Sequence, residues 1–255
     1  MSTRTITLPR ISEAQRRQYH EEGYMILERV IGGEHLQMLR EECKLFMDNE
    51  DRRVQASGGK RNPAGYFISQ RFRDSARLHE FIFGDLMAEI CRNTLGDSAY
   101  LFWEQYLVKA AENSPAFAWH QDSGYVGLPH KPYLTCWCAL DDVTEENGTV
   151  YVMPFSRQGT RELVLHTRDE ATRDLVCYHG SDPGDPVVVP AGSIACFTSL
   201  NFHRSGPNRS DRMRRVYLAQ YSAEPIQKTA EPAFAIPFLS NGRNVYRRCP
   251  RRDLV

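Results

Sequence analysis

From Tyr100 the chain reads YLFWEQYLVK (100–109), and runs of the same kind recur along the remaining sequence. They are YLTCWCAL (133–140), TVYVMPF (149–155), RELVLH (161–166), DPVVVP (185–190), SIACFTS (193–199) and RRVYLAQYSA (214–223). Each is short, apolar or alternating, and set off by turn residues, the pattern of many short strands in an antiparallel sandwich or barrel. Asn147-Gly148 falls between two of the runs and has the form of a type I′ hairpin. Pro190-Ala191-Gly192 marks another tight turn.

Upstream of this β region the periodicity changes. Ser12 followed by Gln15 has the form of a capping box, so a helix is expected to begin there and to end at Gly23. Residues 24–30 (YMILERV) read as a strand. Leu36, Leu39, Cys43 and Phe46 lie on one face of a second helix. From 49 to 65 (NEDRRVQASGGKRNPAG) the chain is polar and Gly-rich, which predicts a mobile loop and a candidate lid. A further helix is expected over 75–94, with Leu78, Phe81, Ile82, Leu86 and Ile90 inward. The sequence is therefore read as one domain over 1–255. A helical N-terminal part covers about 1–98, a β core about 99–225, and a C-terminal extension about 226–255.

Composition narrows the function classes. The 255 residues carry 32 basic and 32 acidic side chains, so there is no general electrostatic drive toward nucleic acid or anionic membrane. No apolar run approaches the roughly 18 residues of a membrane span, and the first residues lack the apolar stretch of a secretory signal. Seven cysteines, an odd number spread singly, read as reduced thiols of a cytoplasmic protein. The tail from Arg243 through Arg247, Arg248, Arg251 and Arg252 reads as a solvated terminus.

The segment richest in chemistry is Trp119-His120-Gln121-Asp122. On a strand, residues i and i+2 point to one side, so His120 and Asp122 can converge on a divalent metal. The motif alone is equally a buried polar pair. A third ligand could come from His20, His35, His79, His130, His166, His179 or His203. His203 stands out because it follows the strand SIACF and precedes a basic run leading into another strand. Ser57-Gly58-Gly59-Lys60 lacks the spacing of a phosphate loop, and Cys136 with Cys138 reads as core.

HQD (120–122), ALDDVTEENGTVYVMPFS (139–156), PAGSIACF (190–197) and HRSGPN (203–208) together resemble the phytanoyl-CoA dioxygenase-like family. The opening HEEGYMILERVIGGEHLQMLREE extends the likeness over about 12–225. The resemblance implies a double-stranded β-helix with N-terminal helices, and an oxygenase using Fe(II), 2-oxoglutarate and O2. Succinate and CO2 would be released as a small molecule is hydroxylated. Carried over, His120, Asp122 and His203 become the iron ligands. Arg214, eleven positions past the distal histidine, becomes the 2-oxoglutarate clamp, with Ser205, Gln121 and Trp137 around the cosubstrate. A carboxylate at 122, where related halogenases have glycine or alanine, disfavours halogenation. MPFSR (153–157) and Arg204 depart from the family pattern, which bears on substrate detail.

Candidate substrate residues are Tyr66, Phe67, Arg71, Arg73, Trp103, Gln105, Lys109, Tyr125 and His130. Their cations suggest an anionic or zwitterionic small molecule. Two competing readings are a non-catalytic metal- or ligand-binding member of the fold and a metal-dependent hydrolase or isomerase on a cupin-like barrel. Neither needs Arg214.

Overall fold

A computed structural model describes residues 11–60, 62–112, 114–226 and 235–246. The first half runs α1 (Glu13–Glu22), β1 (Tyr24–Leu27), α2 (Gly33–Ala56), β2 (Gly65–Ser69), a 3-10 turn (Arg71–Asp74), α3 (Ala76–Ile82), α4 (Asp85–Thr94) and β3 (Ala99–Lys109). Then follow β4 (Phe117–His120), a 3-10 turn (Asp122–Tyr125), β5 (Leu134–Ala139), β6 (Val150–Met153) and α5 (Phe155–Gln158). β7 (Thr167–Arg168), β8 (Leu175–Val176), β9 (Asp185–Pro186), β10 (Ile194–Thr198), β11 (Phe202–Ser205), β12 (Arg214–Ser222), β13 (Ile236–Ser240) and β14 (Arg243–Asn244) complete the chain.

The strands form a major sheet, β1-β10-β5-β12-β3-β13-β14 with β2 also on β3, and a minor sheet, β4-β11-β6-β9. One face of the major sheet lies under the helices. Leu39, Cys43, Phe46, Leu78, Phe81, Ile82 and Ile90 pack there against Leu101, Tyr106, Tyr217 and Tyr221. The other face meets the minor sheet through Trp137, Ala195, Phe197, Val216 and Leu218 against Val150 and Val152. Alternation along β3 and β12 thus assigns successive residues to two different interiors.

Several local expectations hold. Ser12 and Gln15 make the reciprocal capping box, and Gly23 caps α1 in the left-handed region at φ 83°. Others need correction. The segment 49–56 is the last part of α2, not loop: Lys44–Asp48 and Arg53–Glu50 pair along the helix surface and stabilise a stretch with little apolar face. The helix expected over 75–94 breaks at Phe83-Gly84, where a Cβ on Gly84 would lie 2.6 Å from the Glu80 carbonyl oxygen.

Asn147-Gly148 does not join a two-stranded hairpin. β5 and β6 belong to different sheets, and the turn carries the chain between them, with Asn147 bonded to Thr144 N–H and to the Asp142 carbonyl. Residues 161–166 form no strand, and Leu163 and Leu165 are exposed. The C-terminal segment contributes β13 and β14 to the major sheet through β3. Arg247, Arg248, Arg251 and Arg252 lie outside the described residues, and Arg243 is an exposed member of β14.

Candidate active site

His120 ends β4 and His203 sits on β11, and the two are direct cross-strand partners. Their ring centroids are 4.1 Å apart. Asp122 follows at the start of the 3-10 turn, and its Oδ1 lies 3.4 Å from His203 Nε2 and 3.9 Å from His120 Nε2. The three side chains form the one potential metal-binding group among the described residues.

The surroundings determine which atoms are presented. His120 Nδ1 lies 2.8 Å from the Ala118 carbonyl oxygen and His203 Nδ1 lies 3.0 Å from that of Asn201. With Nδ1–H donating to those carbonyls, each Nε2 lone pair faces the centre. Asp122 Oδ2 accepts from Thr135 Oγ1 at 2.6 Å and from Gln220 Nε2 at 2.9 Å, which leaves Oδ1 free. Burial and the neighbouring His203 lower the pKa of His120 to about 3, so the ring is neutral. Burial would raise Asp122, but His203, His120 and the Thr135 hydroxyl outweigh it and hold the carboxyl at about 2. Two imidazoles and one carboxylate on one side of a point fit a facial site for a divalent iron.

The second feature is a buried cation with two donor atoms unused. Arg214 opens β12, is buried, and donates Nη2–H to the Gly148 carbonyl at 3.0 Å. Its Nε and Nη1 are buried without a hydrogen-bond partner. The neighbouring Asp141 is bound instead to Arg215, at 2.6 Å. Burial lowers the Arg214 pKa to about 10, still well above physiological pH. A buried guanidinium with two unused donors fits a planar carboxylate, since leaving the donors unmet is costly. Lys109 is the direct cross-strand partner of Arg214 on β3. Burial, then the Arg214 charge, lower its pKa to about 7.

Triad and arginine share one cavity of about 700 Å³. Three cross-strand pairs of β3 and β12 line it, Lys109/Arg214, Gln105/Leu218 and Trp103/Gln220, together with Leu107, whose partner Val216 is packed in the core between the sheets. β5 continues this floor with Thr135 beside Gln220 and Trp137 beside Leu218. Period-two reading from Arg214 would have found Gln220, and from Trp137 would have found Thr135. Gly148 gave no such signal, yet a Cβ there would strike the Gly206 carbonyl oxygen at 2.8 Å and Lys109 Cδ at 2.9 Å.

Of the residues singled out from sequence, Trp103, Gln105, Lys109, Tyr125, Trp137, Ser205 and Arg214 line the cavity with the triad. Gln121 does not. Its amide is fully buried, donating to the Glu162 and Leu200 carbonyls and accepting from Val164 N–H, so it fastens the 162–164 segment. Those bonds, with His166 Nε2 on Gln121 N–H, also replace the ladder that 161–166 would need as a strand. Tyr66 points to the helix side and bonds Asp51 at 2.9 Å, whereas Phe67, next along β2, faces the cavity. Arg71 pairs with Asp74 at 3.1 Å on a surface turn. Arg73 lies 5.5 Å from the Phe72 ring centre, and His130 packs edge-on to Tyr133; none of these three reaches the cavity.

The phytanoyl-CoA dioxygenase (PhyH) family model matches residues 19–216. This chain belongs to the phytanoyl-CoA dioxygenase family. A relative from Stutzerimonas stutzeri, named a probable alpha-ketoglutarate-dependent hypophosphite dioxygenase, is 25% identical over 82% of this chain and 78% of its own. The L-proline trans-4-hydroxylase of Streptomyces griseoviridis is 28% identical over 59% of this chain and 63% of its own. The crystal structure of EvdO2 from Micromonospora carbonacea var. aurantiaca complexed with 2-oxoglutarate superposes with a TM-score of 0.66 at 20% identity, over 89% of this chain and 96% of that one. The fold of the PhyH member described here is accordingly a double-stranded β-helix carrying N-terminal helices. None of its described helices is long and apolar enough to cross a membrane.

Proposed function

We propose that this chain is an Fe(II)- and 2-oxoglutarate-dependent dioxygenase that hydroxylates a small molecule, with His120, Asp122 and His203 holding iron and Arg214 holding the cosubstrate. The observation that carries the reading is the shared cavity, in which a two-imidazole, one-carboxylate cluster and a buried guanidinium with two unused donors open on the same space. Iron and 2-oxoglutarate, when bound, supply an oxidative decarboxylation to succinate and CO2 coupled to two-electron oxidation of the substrate.

The side chains supply binding and orientation. Thr135 and Gln220 fix the Asp122 carboxylate so that one oxygen stays available. Arg214 would take the distal carboxylate of 2-oxoglutarate through a planar fork, with Ser205 on the same cavity wall and the Trp137 ring 5.4 Å from the guanidinium carbon. The depressed pKa of His120 keeps that ring unprotonated, so metal binding need not displace a proton from it. A hydrolase or sensor has no need of an anion clamp beside the metal cluster, and Arg214 therefore favours the oxygenase.

On the substrate side, Lys109, Asp174 and Arg204 are charged side chains that border the cavity and could meet an anionic or zwitterionic group. The helices and the β core share one interior, which supports a single catalytic domain. Six described cysteines are free thiols, and five of them are buried, which supports a cytoplasmic location.

The test is anaerobic visible absorption on adding Fe(II) and then 2-oxoglutarate. A weak charge-transfer band is expected, and Asp122→Ala should remove it and lower succinate formation by about a thousandfold. Folded protein that binds Fe(II) but gives no band with 2-oxoglutarate would refute the assignment.

A further inference from the structure

The triad and Arg214 leave most of the cavity unexplained. At about 700 Å³ it falls among sites that enclose drug-sized ligands, and a five-carbon keto diacid fills only a small part of it. Much of the remaining wall is aromatic: Phe67, Phe102, Trp103, Phe117, Tyr125 and Tyr133 all border the cavity. They are grouped in two places. Phe67 and Phe117 lie 5.8 Å apart near Lys109, whose Nζ is 6.0 Å from the Phe117 ring centre. Phe102 and Tyr133 lie 5.1 Å apart and pack with Val126. Tyr125 stands edge-on to the metal-site residue His120 at 5.5 Å.

Phe67 is poorly explained by folding: it is 51% exposed at the edge of the cavity, whereas Tyr125, 44% exposed, accepts from Leu175 N–H through its hydroxyl. Phe67 sits on a strand whose neighbours Tyr66 and Ile68 are buried on the opposite face, so its ring adds little to the core. Several polar side chains also border the cavity, but two of them are engaged within the chain: Arg204 lies over the Tyr151 ring and donates to the Pro183 carbonyl, and Asp174 accepts from Ala118 N–H. The Gln220 amide is occupied by Asp122 and Thr135, and Arg71 and Arg73 lie elsewhere.

We infer that the substrate is a bulky, ring-bearing and largely apolar molecule, seated between the two aromatic groups, with one polar substituent directed to Lys109. Aromatic walls suit flat rings through offset and edge-on contacts, and the Lys109 amine, which an adjacent anionic substituent would hold protonated, stands beside them. The inference rests on the dioxygenase reading for the reaction, and it adds the class of molecule oxidised.

The test uses the iron- and 2-oxoglutarate-loaded protein, with the charge-transfer band first confirming that the reaction machinery is assembled. 2-Naphthoate, 2-naphthol, hypophosphite and L-proline are then compared by quenching of tryptophan fluorescence and by stimulation of succinate release. Both naphthyl probes are expected to bind saturably, and Phe67→Ala to weaken them roughly tenfold. Lys109→Met should weaken 2-naphthoate severalfold more than 2-naphthol. Absence of saturable naphthyl binding, or naphthyl binding indifferent to Phe67→Ala, overturns the inference. So does stimulation by hypophosphite or proline alone. Loss of the band itself would instead strike the dioxygenase reading.

Discussion

β3 and β12 have two faces, and the contrast between them separates stability from function. On the helix side, Leu101, Tyr106, Tyr217 and Tyr221 are packed to nearly zero exposure, and Tyr106 and Tyr221 donate to the carbonyls of Leu39 and Ile82. Even the carboxyl on that side, Glu104, accepts from Phe72 N–H and lies against the Tyr217 hydroxyl. On the cavity side the same strands present Arg214 with two donors unmet, Lys109, Gln105 and Trp103. The helix face is closed over its unmet polar atoms, Glu104 Oε2 and the Tyr217 hydroxyl among them, whereas the unmet donors of Arg214 adjoin a cavity that a ligand can enter.

If the cavity face is arranged for an anion, removing the cation should damage binding and not folding. Arg214→Met is expected to raise the 2-oxoglutarate KM on the order of a few hundredfold, with the melting temperature unchanged or raised. Unchanged KM would break the comparison. On the helix face the converse is expected. Burial, opposed by the Phe72 N–H and Tyr217, raises the Glu104 pKa from 4.5 to about 7. The folded state therefore holds that proton more tightly, so stability should fall as pH rises from 4.5 to about 7 and stay lower above it. Glu104→Gln should remove a loss of about 3 kcal/mol across that window, read as a flatter profile of denaturant midpoint against pH.

Thr135 joins the two concerns, because it is core in position and holds a metal-site carboxylate. Thr135→Val should weaken Fe(II) binding about tenfold, measured by titration, while leaving the 2-oxoglutarate dependence at saturating iron intact. The smallest effect is the sharpest check on alternation. Tyr66→Phe should cost about 1 kcal/mol through the lost bond to Asp51 and leave catalysis unchanged. Its neighbour Phe67→Ala should do the reverse.

Much of this was legible in short-range pattern. The period of two from Tyr100 onward marks the strands, the Ser12–Gln15 box marks a helix start, and His120 and Asp122 stand at a spacing that suits one metal. The errors have physical reasons. The end of α2 continues beyond its apolar face as a polar helix, with Arg53 paired to Glu50 and Asp51 bonded to Tyr66, so a polarity reading takes it for loop. Gln121 sits between two cavity residues, but the chain turns immediately after it and its amide is drawn into the 162–164 segment. Arg71 and Arg73 supply charge of the right sign in a turn facing solvent.

By itself the sequence determined which residue types were available and which local elements they form, because capping, alternation and i,i+4 contacts act over a few residues. Tertiary structure decided which of them meet. His203 reaches His120 only because β11 pairs with β4, and Arg214 meets Lys109 only through the β12–β3 register. A shift of one residue in either register would turn these side chains to the opposite face. The site is thus fixed by long-range strand pairing, whose energy is spread over both sheets and is not encoded in any single motif.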